Sequence, residues 1–258
     1  MKNNLFKFLF LILLSFGLQS SFAEEVFIDA EVVEVNKESK TIYAKGNVKI
    51  YDKMENTIYS DSAEYNKLTG IVKTIGPTKI ITSNKYEIEG ENLFYDDNKK
   101  IIYSQNETLI TDTDNNKILV SMFNYLTLKN MFFSKGNIEV TDKRSNKYYF
   151  SEIYIDEKEK KIVGSDIKSY INDENLKPDK RNEPRLFANS ATLTQENTVF
   201  EKGVFTSCKS RDGKKCPPWA LRAKKIEHNA AKKTIYYTDA VMKIYDFPVF
   251  YFPKFFHP

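Results

Sequence analysis

Apolar and polar residues alternate along much of this chain. Ile42, Ala44, Val48 and Ile50 share one face of an extended segment while Lys45 and Lys49 take the other, the period-two pattern of a strand with one dry side. The pattern predicts strands joined by solvated turns such as Asn36-Lys37-Glu38-Ser39-Lys40, Asp96-Asp97-Asn98-Lys99-Lys100 and Asp156-Glu157-Lys158-Glu159-Lys160-Lys161. Segments of this kind begin near Asp29, Asp61, Gly90, Val120 and Phe150, about thirty residues apart, a stride within the range of stacked repeats. Ala44-Lys45-Gly46-Asn47-Val48-Lys49-Ile50 recurs as Ser134-Lys135-Gly136-Asn137-Ile138-Glu139-Val140, and more loosely at Glu201-Lys202-Gly203-Val204. Gly-Asn inside such a run predicts a bulge or sharp bend.

Ile42, Val48, Ile50, Leu93, Ile101, Phe132, Ile138, Val140 and Ile153 are the candidate inward residues. Two readings of them stay open: a closed core, or two sheets that splay apart along one edge. Runs such as Leu93-Phe94-Tyr95 and Ile101-Ile102-Tyr103 are apolar on both faces, so alternation does not choose their inward side.

The expected organisation is a leader at 1–23, repeats over 24–171, a polar loop or linker at 172–186 containing Pro178 and Pro184, further strands at 187–246, and an aromatic, proline-containing segment at 247–258. Lys2 and Lys7, the apolar run from Phe8 to Leu18 and the small-x-small site Ser21-Phe22-Ala23 form a secretory signal. That run is too short to serve comfortably as a membrane anchor. The aromatic run from Phe247 to Phe256 is also too short for a membrane helix, and Pro248 and Pro253 argue against a central strand there.

Charge narrows the function classes. Lys and Arg number 39 against 35 Asp and Glu, and two of the basic residues lie in the leader. No basic cluster tracks a phosphate backbone, which argues against nucleic acid as a partner. With two histidines, His228 and His257, and no nucleophile elbow or phosphate loop, the usual catalytic constellations are missing. Asp112-Thr113-Asp114-Asn115-Asn116 imitates a calcium loop but has Lys117 at its sixth position and Phe123 at its twelfth, so a polar hairpin turn is expected, with no metal. Cys208 and Cys216 flank an Asp-Gly hairpin signal in an exported chain. A three-residue loop at Arg211-Asp212-Gly213 would set them opposite each other, within disulfide reach.

The Lys-Gly-Asn repeats resemble the OstA-type domain shared by periplasmic lipopolysaccharide (LPS) transport proteins. Phe205-Thr206-Ser207-Cys208, Trp219-Ala220-Leu221-Arg222-Ala223 and Phe247-Pro248-Val249-Phe250-Tyr251-Phe252-Pro253 resemble the passage between jelly roll and outer-membrane barrel in the LptD family of LPS-assembly proteins. The resemblance implies an all-β protein, an open V-shaped antiparallel β-jelly roll built from repeated short strands. It implies transport without catalysis or cofactor: LPS acyl chains would lie between the sheets at the periplasmic face of the outer membrane. Its implied partners are lipopolysaccharide itself, an LptA-like periplasmic bridge protein joined by β-strand addition, and an outer-membrane lipoprotein of the LptE type. The family's barrel does not follow Pro258, so the chain is expected to be incomplete as a functional unit. In the family the N-terminal cysteines bridge to the barrel, whereas here only the local pair is available. A free-standing LptA-like bridge and a structural β-repeat protein without lipid cargo remain the alternatives.

Overall fold

The computed structural model describes residues 26–172, 182–209, 218–229, 231–232 and 234–257. The leader therefore lies outside the described residues, as do most of the expected linker and Cys216. Every described element is a β-strand, and every pairing is antiparallel. β1 (Phe27–Asp29) and β2 (Val32–Asn36) pair with the two halves of β3 (Thr41–Tyr51), which is followed by β4 (Thr57–Asn66) and β5 (Ile71–Ile81). Three rungs are then split in two: β6 (Glu87–Glu91) with β7 (Phe94–Asp96), β8 (Ile101–Ser104) with β9 (Thr108–Thr111), and β10 (Lys117–Val120) with β11 (Phe123–Leu126). Long rungs resume with β12 (Met131–Thr141), β13 (Lys147–Asp156), β14 (Lys161–Tyr170), β15 (Arg185–Leu193), β16 (Asn197–Thr206), β17 (Trp219–Asn229), β18 (Thr234–Ile244) and β19 (Phe247–His257). Each rung pairs with the next, so the ladder runs unbroken from β3 to β19.

A crease crosses every rung near its middle and divides the ladder into two leaves. In β3 and β12 it is the predicted Gly-Asn bulge, where the register shifts between Lys45 and Val48 and between Lys135 and Ile138. Left-handed backbone marks it at Gly46, Asn47, Gly76, Asn92, Gly136, Asp166, Lys202 and Asp239. Asn and Asp tolerate that conformation better than most residues. Within each leaf, alternation turns one face inward. Ile28, Ile50, Ile58, Ile80, Ile88, Ile110 and Ile118 stand side by side in register on leaf one, continued by Val140 and Tyr148. Leaf two answers with Ile42, Tyr65, Val72, Tyr95, Ile102, Tyr125, Phe132, Ile155 and Ile162. Such cross-strand neighbours are the unit of sheet stabilisation.

The turns recur every thirty residues. On leaf one they fall at 52–56, 82–86, 112–116 and 142–146, and on leaf two at 67–70, 97–100, 127–130 and 157–160. Asp52, Asp112 and Asp142 each accept two backbone amides of their own turn and the side-chain amide of the Asn four residues on. The calcium-loop lookalike is thus a hairpin turn whose Asp112 carboxylate is taken up by hydrogen bonds. On leaf two, Lys40, Gly70, Lys100 and Asn130 end their turns in left-handed backbone, and their carbonyls accept the amides of Lys67, Asp97, Thr127 and Glu157 in the next repeat.

One expected boundary changes. Residues 185 and 186 of the expected linker belong to β15, where Arg185 pairs with Tyr170, so the ladder does not break at that point. The proline-containing tail forms strand β19, which pairs with β18 along one side and carries a register shift opposite Met242 and Lys243. An edge strand tolerates prolines because it needs amides on one side only. β16 and β17 are registered with Phe205 opposite Leu221, and the expected Cys208–Cys216 pairing lies outside the described residues because Cys216 is not among them.

The turns can be ranked by burial. Asp52 is buried and also accepts the Tyr95 hydroxyl at 2.7 Å, whereas Asp112 serves only its own turn. Asp52→Ala is expected to cost about 3 kcal/mol and Asp112→Ala about 1 kcal/mol, because the first takes a partner from both the buried Asn56 amide and the buried Tyr95 hydroxyl. Urea unfolding of the two variants measures the difference.

Candidate functional site

The space between the leaves is not uniform. Next to the crease, leaf one carries Ser60, Thr78, Gly90 and Thr108 in successive rungs, then Val120, Ile138 and Phe150. Small residues let the leaves converge, and Thr78 donates to Thr74 across the crease at 2.8 Å. There the interior is solid: Ile50, Val72, Ile80, Leu93 and Ile102 are essentially inaccessible to solvent. Where the crease residues become large, the leaves part around a cavity of about 320 Å³.

That cavity is apolar within and polar at its lip. Ile88, Ile110, Ile118 and Val140 line it from leaf one, Phe132, Ile153, Ile155 and Ile162 from leaf two, and Phe150 from the crease. Phe150 lies over Gly164, where an added Cβ would come within 2.5 Å of its ring. Asp112, Asn116 and Asp142 border the cavity from the turns of leaf one, Tyr148 from the start of β13, and Glu157 from a turn of leaf two.

Two sets of polar bonds tie the leaves together opposite the crease. Near the start of the ladder, Tyr95 of leaf two donates to Asp52 of leaf one, and its hydroxyl lies 3.3 Å from Asp97, which is paired with the buried Lys100. Beside the cavity, Asn84 of leaf one reaches across, its amide donating to Glu157 at 2.9 Å and to the Tyr125 hydroxyl at 3.3 Å. Tyr86 also hydrogen bonds Glu157 and packs against Tyr125, ring centroids 6.3 Å apart. Burial, and then the Glu157 charge, push both tyrosines well above the ordinary phenol range. Burial also holds Glu157 above its ordinary range, against the pull of its bonds from Asn84 and Tyr86. Asp142 goes the other way: burial raises it, but hydrogen bonds from Asn146, the Arg144 amide and Tyr148 outweigh that and leave it lowered. Tyr148, buried beside Asp142, is pushed up to about 12.

Of the candidate inward residues, Phe132, Val140 and Ile153 line the cavity. Val48, Ile50 and Leu93 belong to the solid interior, Ile138 is buried at the crease, and Ile42 is half-buried near the first edge. Ile101 is half-exposed on the opposite face from Ile102, which takes the inward position in a run that is apolar on both faces. Sequence reasoning missed Tyr86, Ile88, Ile110, Ile118, Phe150, Ile155 and Ile162. A strict stride of thirty would have found four of them: Ile50, Ile80, Ile110 and Val140 form one series, Ile58, Ile88, Ile118 and Tyr148 a second, and Val72, Ile102, Phe132 and Ile162 a third. Cys208 follows β16, and its amide hydrogen bonds the Thr206 hydroxyl at 3.2 Å.

A creased antiparallel ladder enclosing an apolar cavity defines the class as an all-β jelly roll with two leaves. The chain belongs to the OstA-like family, whose model, described as OstA-like protein, matches residues 25–153. Among solved structures it is similar to LptH of Pseudomonas aeruginosa, described as the LptA-homologous periplasmic component of a lipopolysaccharide transport device. That alignment has 11% identity, covers 54% of this chain and 80% of LptH, and gives a TM-score of 0.24. No curated protein matches the chain.

Because Glu157 is raised above its ordinary 4.5 in the folded state, the fold gains stability from it below that pH and loses the gain as pH rises through the folded value. Glu157→Gln is expected to flatten this part of the curve of melting temperature against pH between roughly 4 and 7. Thermal melts of the two proteins across that range check the sign: a wild-type advantage that grows with pH would contradict it.

Proposed function

We propose that this protein carries LPS acyl chains between its leaves during transport across the periplasm to the outer membrane. The observation that carries the reading is the cavity: an apolar chamber between two sheets of an OstA-like ladder, with polar groups confined to its lip. Its volume of about 320 Å³ lies at the lower end of pockets that hold small ligands. Burial is worth about 0.8 kcal/mol per methylene, so an acyl chain gains on the order of 10 kcal/mol by leaving water for such a lining. The leader pattern supports an exported chain.

The edges of the ladder support partners of the same fold. β2 exposes Val32, Val33 and Val35, and at the other end β19 exposes Phe247, Phe250, Tyr251 and Phe256. Among the described residues each pairs along one side only, a template for strand addition. An LptA-like bridge protein would dock by that route. The role of an LptD N-terminal portion, with an LptE-type lipoprotein as a further partner, is favoured over a free-standing bridge by the Trp219 and Phe247–Phe252 motifs.

Photo-crosslinking in living cells tests the cargo. Probes at Val140, Phe150 and Ile153 are expected to capture LPS, while probes at the outward Lys45 and Lys49 stay unlabelled. Labelling of Lys45 as strong as that of Ile153, or no LPS adduct at any cavity position, would remove the acyl-chain reading and favour a structural β-repeat protein.

A further inference from the structure

The cavity does not continue through the first rungs. Ahead of Tyr86 no residue lines it, and the leaves there are packed on Ile50, Val72 and Ile80 without accessible space. The edge opposite the crease is tied along that stretch by the buried group of Asp52, Tyr95, Asp97 and Lys100. A chain moving lengthwise from the β2 end would have to break both the packing and this network. Beside the cavity the tie is lighter: the half-buried Glu157 receives the Asn84 amide, and Tyr86 and Tyr125 close around the pair. Asn84 and Glu157 stand in turns of opposite leaves, so separating these two side chains parts the lips without unpacking the isoleucine ladder.

We propose that the Asn84–Glu157 bridge, backed by Tyr86 and Tyr125, is a clasp over a side portal, through which an acyl chain passes laterally into the cavity instead of threading from the first rungs. The proposal rests on the acyl-chain reading and adds the route and the residues that control it. Opening at the clasp exposes the Glu157 carboxylate and the two phenol hydroxyls at the lip, which suits an amphiphile whose polar part stays outside while its chain enters.

The test follows uptake of a fluorescent dodecanoyl probe by the purified full chain in stopped flow. Asn84→Asp sets two carboxylates face to face and is expected to speed uptake roughly tenfold, the scale of one charge-assisted hydrogen bond lost. Tyr95→Phe, which loosens the tie over the solid rungs, leaves the rate near that of the wild type. For a lock, Asn84→Cys and Glu157→Cys are joined through two disulfides by a short bis-methanethiosulfonate reagent, each thiol displacing a sulfinate, with Cys208→Ser and Cys216→Ser removing competing thiols. Uptake is expected to stop in the joined protein and return on reduction. Undiminished uptake by the joined protein, or a faster rate in Tyr95→Phe than in Asn84→Asp, overturns the clasp while leaving lipid binding intact. No uptake by any form, wild type included, overturns the lipid reading and the clasp together.

Discussion

The bend that each rung makes at mid-length is the constraint on which the rest of the structure depends. A continuous antiparallel ladder of this length would otherwise be a twisted sheet with one dry face left against water. Folding it along one line lets the two halves of the dry face bury each other, but only if every rung bends at the same height. That requirement places left-handed backbone at Gly46 and Asn47, Gly76, Asn92, Gly136, Asp166, Lys202 and Asp239, and it fixes the stride: two rungs and two turns consume thirty residues, and a one-residue slip would turn Ile80 or Ile110 outward.

Once the crease exists, side-chain volume beside it controls how far the leaves open. Gly90 and Thr108 stand at the crease beside the packed rungs, and Phe150 stands at the crease where the cavity lies. Further on, Ala188, Ala223 and Ala240 restore small residues, and a second buried cluster forms there with Leu186, Ile226 and Tyr237. The cavity therefore lies between two stretches of narrow crease, and the same ladder serves as packed wall and as container.

Alternation and the Lys-Gly-Asn repeats made the all-β class, the approximate stride and the bulges at Gly46 and Gly136 legible, because each is a local property of the chain. The inward set was only partly legible. Ile101 and Ile102 are chemically equivalent, and only pairing with Tyr95 and Tyr125 gives Ile102 the inward place. Phe150 sits two residues after Tyr148 in a run that is aromatic on both faces, so its role at the crease appears only once Ile138 is set opposite it. The prolines argued only against a central strand in the tail, and β19, paired along one side among the described residues, fits that rule.

The clasp residues were invisible for a different reason. Asn84 and Glu157 are separated by 73 positions, and the turn that holds Glu157 reads from sequence as a solvated connection. What singles them out is a departure from the repeat: the turn at 82–86 has Thr82 and Tyr86 where its neighbours at 52–56, 112–116 and 142–146 have Asp and Asn. Asn56, Asn116 and Asn146 pass a hydrogen bond to the next turn on their leaf, at Ser83, Lys143 and Asn172. Tyr86 has no amide to continue that relay, and its ring and hydroxyl turn instead toward Tyr125 and Glu157 on the other leaf. A single irregular turn thus trades a bond along its own leaf for a bond across the gap. It does so beside the cavity between the leaves.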